Sequence, residues 1–420
     1  MRDAFWFIAR RLGRTLAALA MAAVGLAACA HASPTSMPVP AVRPSPATAT
    51  PWATPTPTAV PTIPCRTSAA GVSPAREAQE YLTPYDHILG NPQQATVFLV
   101  VYSDFQCTTC AALAPVLRHI DQAHTQDVAL VFRHFPLLNL HDKAALAAQA
   151  AEAAARQGKF WEMHDLLFAE QSRWTGLDGK AFLAYLQDAA HRLGLNTARF
   201  RQDLQSQEIR GLVQRAWENG INHNLPAVPM LYINAQLYTG PLDFKDLDAV
   251  VRLKILEAHQ FHACPPRSIA PDAAVEAELL TTRGALTLRL FPAQAPNAVN
   301  SFAFLAAHGW YDNNPVLEAA DGLVRLGDPS GTGYGNAGYT FGLELAPGLK
   351  FDRAGVVALY SAGGETNSSQ FFITLKALPQ YDGHATIFGE VLRGMDVVRA
   401  LRAGDHLLSV KIRVNGAPWP

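Results

Sequence analysis

Cys107 and Cys110 stand in the segment Asp104-Phe105-Gln106-Cys107-Thr108-Thr109-Cys110, where an apolar, β-branched run ends and a stretch with helical spacing begins. A cysteine at the start of a helix meets unpaired amides and the positive end of the macrodipole, and both favour its thiolate. That thiolate can attack a substrate disulfide, and the second cysteine then resolves the mixed disulfide. The order along the chain predicts Cys107 as the exposed, low-pKa nucleophile and Cys110 as the shielded resolver. Two other readings stay open, half of a zinc site and an inert structural disulfide. The sequence has no second cysteine pair to complete a zinc site and no histidine pair at ligand spacing, so neither a metal nor a cofactor is expected.

The elements that must position this pair follow from the hydrophobic pattern. Residues 95–105 and 127–135 read as buried strands, with a helix over 111–124 between them. Ala- and Leu-rich helices are predicted over 143–157, 160–170, 180–193 and 197–220, then a strand over 230–233 and a helix over 244–259. This order describes an α/β layer fold with a helical insertion. After Cys264-Pro265-Pro266 the texture changes. Residues 275–291 read as a hairpin turning at Thr282-Arg283-Gly284, followed by short strands with many Gly and Asn turns. Only 295–308 and 394–402 read as helices, so this half is expected to be a closed β-barrel with two helices. The predicted domains span residues 76–264 and 272–420.

At 420 residues the chain is too long for one core. Its 34 basic and 35 acidic residues leave a formal charge of -1, which gives no footprint for nucleic acid. Arg2, Arg10, Arg11 and Arg14 precede a short apolar stretch over 16–25, as in an export signal. That stretch ends in Leu26-Ala27-Ala28-Cys29, which resembles the bacterial lipobox. The resemblance implies a signal peptide over 1–29, a lipid on Cys29, and a protein anchored to the membrane in the bacterial cell envelope without spanning it. An ordinary signal peptide with an incidental Cys29 is the alternative. Residues 30–75 are Pro, Thr, Ala and Ser with almost no charge and read as a disordered, semi-rigid tether. With those roles given to Cys29, Cys107 and Cys110, two cysteines are left. Cys65 and Cys264 flank the first domain and are expected to form a structural disulfide.

Asp104-Phe105-Gln106-Cys107, Arg133-His134-Phe135-Pro136 and Gly158-Lys159-Phe160-Trp161-Glu162-Met163-His164 resemble the DsbA-like branch of the thioredoxin fold, over about residues 75–262. Val228-Pro229 is similar to that family's cis-proline loop, which implies that these two residues face the cysteines and bind substrate backbone. The family often has Pro or His between its cysteines; here Thr108-Thr109 leaves the direction of exchange open.

Ala295-Pro296-Asn297-Ala298-Val299-Asn300-Ser301-Phe302, Gly327-Asp328-Pro329-Ser330-Gly331-Thr332-Gly333, Asn367-Ser368-Ser369-Gln370-Phe371-Phe372-Ile373-Thr374 and Asp382-Gly383 with Ile387-Phe388-Gly389 resemble cyclophilins, over about residues 273–418. The resemblance implies a peptidyl-prolyl cis-trans isomerase fold, with Gln370 and Phe372 as substrate-binding residues. It also places Glu318 at the position of the catalytic Arg, Leu323 at a large pocket side chain and Ala385 at a pocket His, in a segment about one residue short. Arg325, later on the same predicted strand, could aim a guanidinium into the pocket. Three functions follow: an envelope folding factor joining thiol-disulfide exchange to prolyl isomerisation, an oxidoreductase with a catalytically degenerate peptide-binding barrel, and a non-enzymatic scaffold. The first two imply exported, unfolded or partly folded proteins as partners, together with a redox partner that the sequence does not identify.

Overall fold

The apolar runs on either side of the Cys-x-x-Cys segment lie side by side as parallel strands. The computed structural model describes residues 64–67, 79, 82, 83, 85–362 and 365–420. Cys29, the leader over 1–29 and most of the proposed tether lie outside the described residues. The chain runs β1 (Cys65–Thr67), β2 (His87–Leu89), β3 (Val97–Ser103), α1 (Thr108–Ala123) and β4 (Val128–His134). All seven residues of β3 are buried. Val97, Leu99 and Val101 enter one core and Phe98, Val100 and Tyr102 another, so the strand is apolar on both faces.

Six helices follow: α2 (Ala144–Ala155), α3 (Phe160–Ala169), α4 (Gln171–Trp174), α5 (Gly179–Arg192), α6 (Thr197–Leu204) and α7 (Gln207–Asn222). The single helix expected over 197–220 is broken between α6 and α7. Ser206 caps α7 there by accepting from Ile209 N, a conformation that stops the preceding helix. β5 (Met230–Ile233), β6 (Gln236–Leu237) and α8 (Phe244–Glu257) complete the domain. Its sheet order is β2-β4-β3-β5-β6, parallel only at β3–β4.

The second domain begins with the expected hairpin, β7 (Val275–Thr281) and β8 (Gly284–Leu290), followed by α9 (Pro296–Ala307). Then come β9 (Asn314–Pro315), β10 (Glu318–Ala320), β11 (Leu323–Leu326), β12 (Tyr339–Gly342), β13 (Val356–Ala362) and β14 (Glu365–Thr374). β15 (Ile387–Arg393), α10 (Met395–Ala400), β16 (His406–Val414) and β17 (Ala417–Pro418) end the chain. The sheet is a curled half-barrel whose strand path runs from β1 to β17. Off this path, β9 pairs antiparallel with β16, Asn314 opposite Leu407, and just beyond it Val316 N donates to Asp405 O at 2.7 Å. Phe302, Phe371 and Phe388 pack inside it, and a second apolar cluster gathers on the other face around Phe372.

One correction concerns the neck between the domains. The tether expected to run to residue 75 is ordered at Cys65–Thr67, which pair antiparallel with β12 in the barrel, Cys65 opposite Phe341. Backbone pairing there outweighs the loose composition of the segment. Cys65 and Cys264 are joined by a disulfide with their Cα atoms 6.1 Å apart. The end of α8 also meets the barrel: Arg252 Nη1 donates to Ser330 O at 2.8 Å and Phe261 N to Ala337 O at 2.9 Å.

Candidate functional site

The cysteine pair sits where β3 gives way to α1. Cys107 is the N-cap of α1, and its Sγ accepts from Cys110 N at 3.2 Å. Thr109 Oγ1 lies 3.1 Å from the same sulfur, and Val228 O lies 3.8 Å away on the loop that carries the cis Val228-Pro229 bond. The hydrogen bond from the Cys110 side chain lowers the Cys107 pKa most; burial opposes it, and Thr109 and the Cys110 amide lower it further. The result is about 6. Burial and the neighbouring Cys107 push the Cys110 thiol far up. One thiol is thus a nucleophile at neutral pH and the other a resolver that stays protonated until exchange. The expectation of an exposed Cys107 needs correction: the residue is 8% exposed. The Val228 carbonyl, on the loop with the cis peptide bond, lies 3.8 Å from its sulfur.

Two side chains support the active loop through contacts distant in sequence. Gln171 on α4 is buried and donates from Nε2 to Phe105 O at 2.8 Å and Cys107 O at 2.9 Å, fixing the active loop from behind. Asp104 accepts from Gln106 N, Leu137 N and His141 Nδ1, and its charge opposes the Cys107 thiolate. Gln171 reaches back across 64–66 residues of chain and Asp104 forward across 33–37 to Leu137 and His141, so no local pattern exposes these contacts.

In the barrel, Leu323, Phe372 and Ala385 fall in one apolar cluster, together with Phe351, Tyr360 and Tyr381. Phe372 is buried between Phe351 and Tyr381, at ring-centroid distances of 5.7 Å and 5.2 Å. Gln370 is buried and donates from Nε2 to Gly333 O and Gly335 O, so it buttresses the loop beside the pocket. Glu318 and Arg325 do not share a strand, which corrects the sequence expectation. They face each other across a hairpin that turns at Asp321-Gly322, both with positive φ. Asp-Gly between two apolar runs is the hairpin signal that would have revealed this. Arg325 also lies opposite Phe372 on β14, hence on the same face of the sheet. Its guanidinium lies over the Tyr360 ring at 4.5 Å, and its Nε is 3.7 Å from Glu318 Oε2.

Residues 277–415 match the family model for cyclophilin type peptidyl-prolyl cis-trans isomerases, and residues 82–252 match a thioredoxin model. A peptidyl-prolyl cis-trans isomerase-like 1 of Neurospora crassa is 44% identical over 137 residues, covering 32% of this chain and 82% of that protein. A Na(+)/H(+) antiporter NhaA 3 of Salinispora tropica is 35% identical over 197 residues, 44% of this chain, and the chain spans only 29% of the antiporter's length. Among solved structures, a cyclophilin type isomerase of Cryptosporidium parvum is 32% identical with a TM-score of 0.32, covering 33% of this chain and 98% of its own. Alpha-DsbA1 of Wolbachia pipientis is 21% identical with a TM-score of 0.38, covering 43% of this chain and 97% of its own.

Proposed function

The chain belongs to the cyclophilin type peptidyl-prolyl cis-trans isomerase family through its second domain and carries a thioredoxin domain ahead of it, and from that premise we propose a two-site protein-folding factor of the bacterial envelope. Its first site exchanges disulfides with exported, unfolded or partly folded proteins, and a separate redox partner resets the pair. The observation that carries this reading is the placement of Cys107 Sγ at the start of α1, held by Cys110 N and Thr109 and approached by Val228 O. Disulfide exchange and prolyl isomerisation are both slow steps of folding, so one client pool serves both sites. Support for an envelope location comes from the lipobox resemblance at Cys29 and from the Cys65–Cys264 disulfide, a bond that persists in oxidising compartments. The lipid on Cys29 anchors the chain to the membrane.

The test is mixed-disulfide trapping. Cys110→Ser should accumulate covalent complexes with client proteins that reductant dissolves, and Cys107→Ser should accumulate none. Trapping by Cys107→Ser alone would reverse the assignment.

A second reading, an oxidoreductase whose barrel binds prolyl peptides without turning them over, is favoured by one observation. Glu318 holds the position of the family's Arg and stands beside the only guanidinium found on the Phe372 face among the described residues of β10, β11 and β14. Prolyl isomerisation by the full chain and by Arg325→Ala separates the two readings.

A further inference from the structure

On the first domain, three side chains far apart in sequence converge. His87 on the edge strand β2 and His134 at the end of β4 both direct Nε2 at one carboxylate oxygen, Glu152 Oε1 on α2, at 2.7 Å and 3.0 Å. The donor atoms all lie within 4.8 Å of one another. Packing fixes both rings. His87 stacks on Phe160 with centroids 3.4 Å apart and planes 6° apart, and His134 sets its edge against Phe132 at 5.2 Å. The side chains are 17%, 5% and 12% exposed, so little water competes for their donor atoms. All three line a cavity of about 680 Å³, together with Tyr85, Arg133 and Arg215.

We propose that His87, His134 and Glu152 form a binding site for a divalent transition-metal ion of the Zn²⁺ class, with its fourth position open to this cavity. Two imidazoles and one carboxylate are a borderline donor set that suits Zn²⁺ and Co²⁺ and not Ca²⁺ or Mg²⁺. Tetrahedral ligation at about 2.0–2.2 Å places donors roughly 3.3 Å apart, so the two Glu152–His spacings open by a few tenths of an ångström while the two imidazole nitrogens, within 4.8 Å of each other, draw together around the ion. On binding, each imidazole loses the Nε2 proton it donates to Glu152, released to solvent or moved to Nδ1, and the neutral ring, protonated on Nδ1, gives its Nε2 lone pair to the ion. Glu152 then ligates through Oε1. The three positions are 47 and 18 residues apart, so no ligand spacing marks them along the chain. Strand pairing of β2 with β4 brings the two histidines together, His87 lying opposite Phe132 two residues before His134. Because β2 is the edge of the sheet, the ion also fastens the entry of the chain to β4 and α2.

The experiment is a Co²⁺ titration of the full chain carrying Cys107→Ser and Cys110→Ser, which removes the redox thiols as rival ligands. One ion per chain is expected, with visible d–d absorption and no thiolate charge-transfer band. Zn²⁺ should displace it and raise Tm. His87→Ala and Glu152→Gln should each weaken binding at least ~100-fold and abolish the Tm rise. His87 is on an edge strand, so His87→Ala keeps the fold testable by circular dichroism. Absence of Co²⁺ binding at micromolar concentration in the parent chain overturns the proposal, as does binding that both variants leave unchanged.

Discussion

At Cys107 the thiolate is stabilised by donors that all lie within three residues of it, and no cation is involved. Thiolate is the reactive form, so alkylation of Cys107 should be fast above pH ~6 and fade below it. Cys110, with its pKa pushed far up, should stay unreactive through neutral pH. Thr109→Val removes the hydroxyl 3.1 Å from the sulfur and should move the Cys107 midpoint upward; an unchanged midpoint would remove Thr109 from the site. The Cys-x-x-Cys pair was legible because its chemistry is local. Thr109's part was not, since a threonine between two cysteines carries no sign of where its hydroxyl points. In the barrel Glu318 was singled out by the family resemblance, and its pairing with Arg325 was hidden by an unrecognised Asp321-Gly322 turn. With Arg325 on the Phe372 face as the remaining donor, Arg325→Ala should cost roughly 10²–10³-fold in whatever isomerisation the wild type shows. Glu318→Gln should raise the rate by freeing the guanidinium. A wild-type rate that Arg325→Ala leaves alone would remove Arg325 from the reaction.

At the scale of elements, a helix contact sets the position of Phe135, the residue just after β4. Gly220 on α7 presses on Phe135, where an added Cβ would come 2.3 Å from the ring. Alanine would gain about 1 kcal/mol of helix propensity. Phe135 is only 2% exposed and cannot swing aside, so the overpacking cost should win. Gly220→Ala should lower unfolding stability by a net ~1–2 kcal/mol in denaturant titrations; a stabilised variant would contradict this packing. Strands β3, β4 and β5 and helices α1 and α8 were readable from apolar runs and 3.6-residue spacing. The break at Ser206 was harder to see. Helical periodicity continues through it, and only the side-chain cap on Ile209 N separates α6 from α7. Gln171 was missed for a related reason, since α4 is one turn long and shows no period.

For the molecule as a whole, the neck decides how the domains are joined. Contacts run from α1 through His124 to Asp248 on α8, from Asp248 to Arg252, and from Arg252 to Ser330 O beside the loop that Gln370 holds. The Cys65–Cys264 bond closes this neck across a sequence separation of 199. Replacing both cysteines with Ser should cost about 2–5 kcal/mol of unfolding stability under non-reducing conditions. A variant that melts with the parent would show that the β1–β12 pairing holds the neck by itself. The same bond also fixes how the molecule responds to force. A pull on the chain ahead of Cys65 enters at the barrel's edge strand and crosses to Cys264 through sulfur. The thioredoxin domain lies inside the loop that this bond closes, off the covalent path that carries the load.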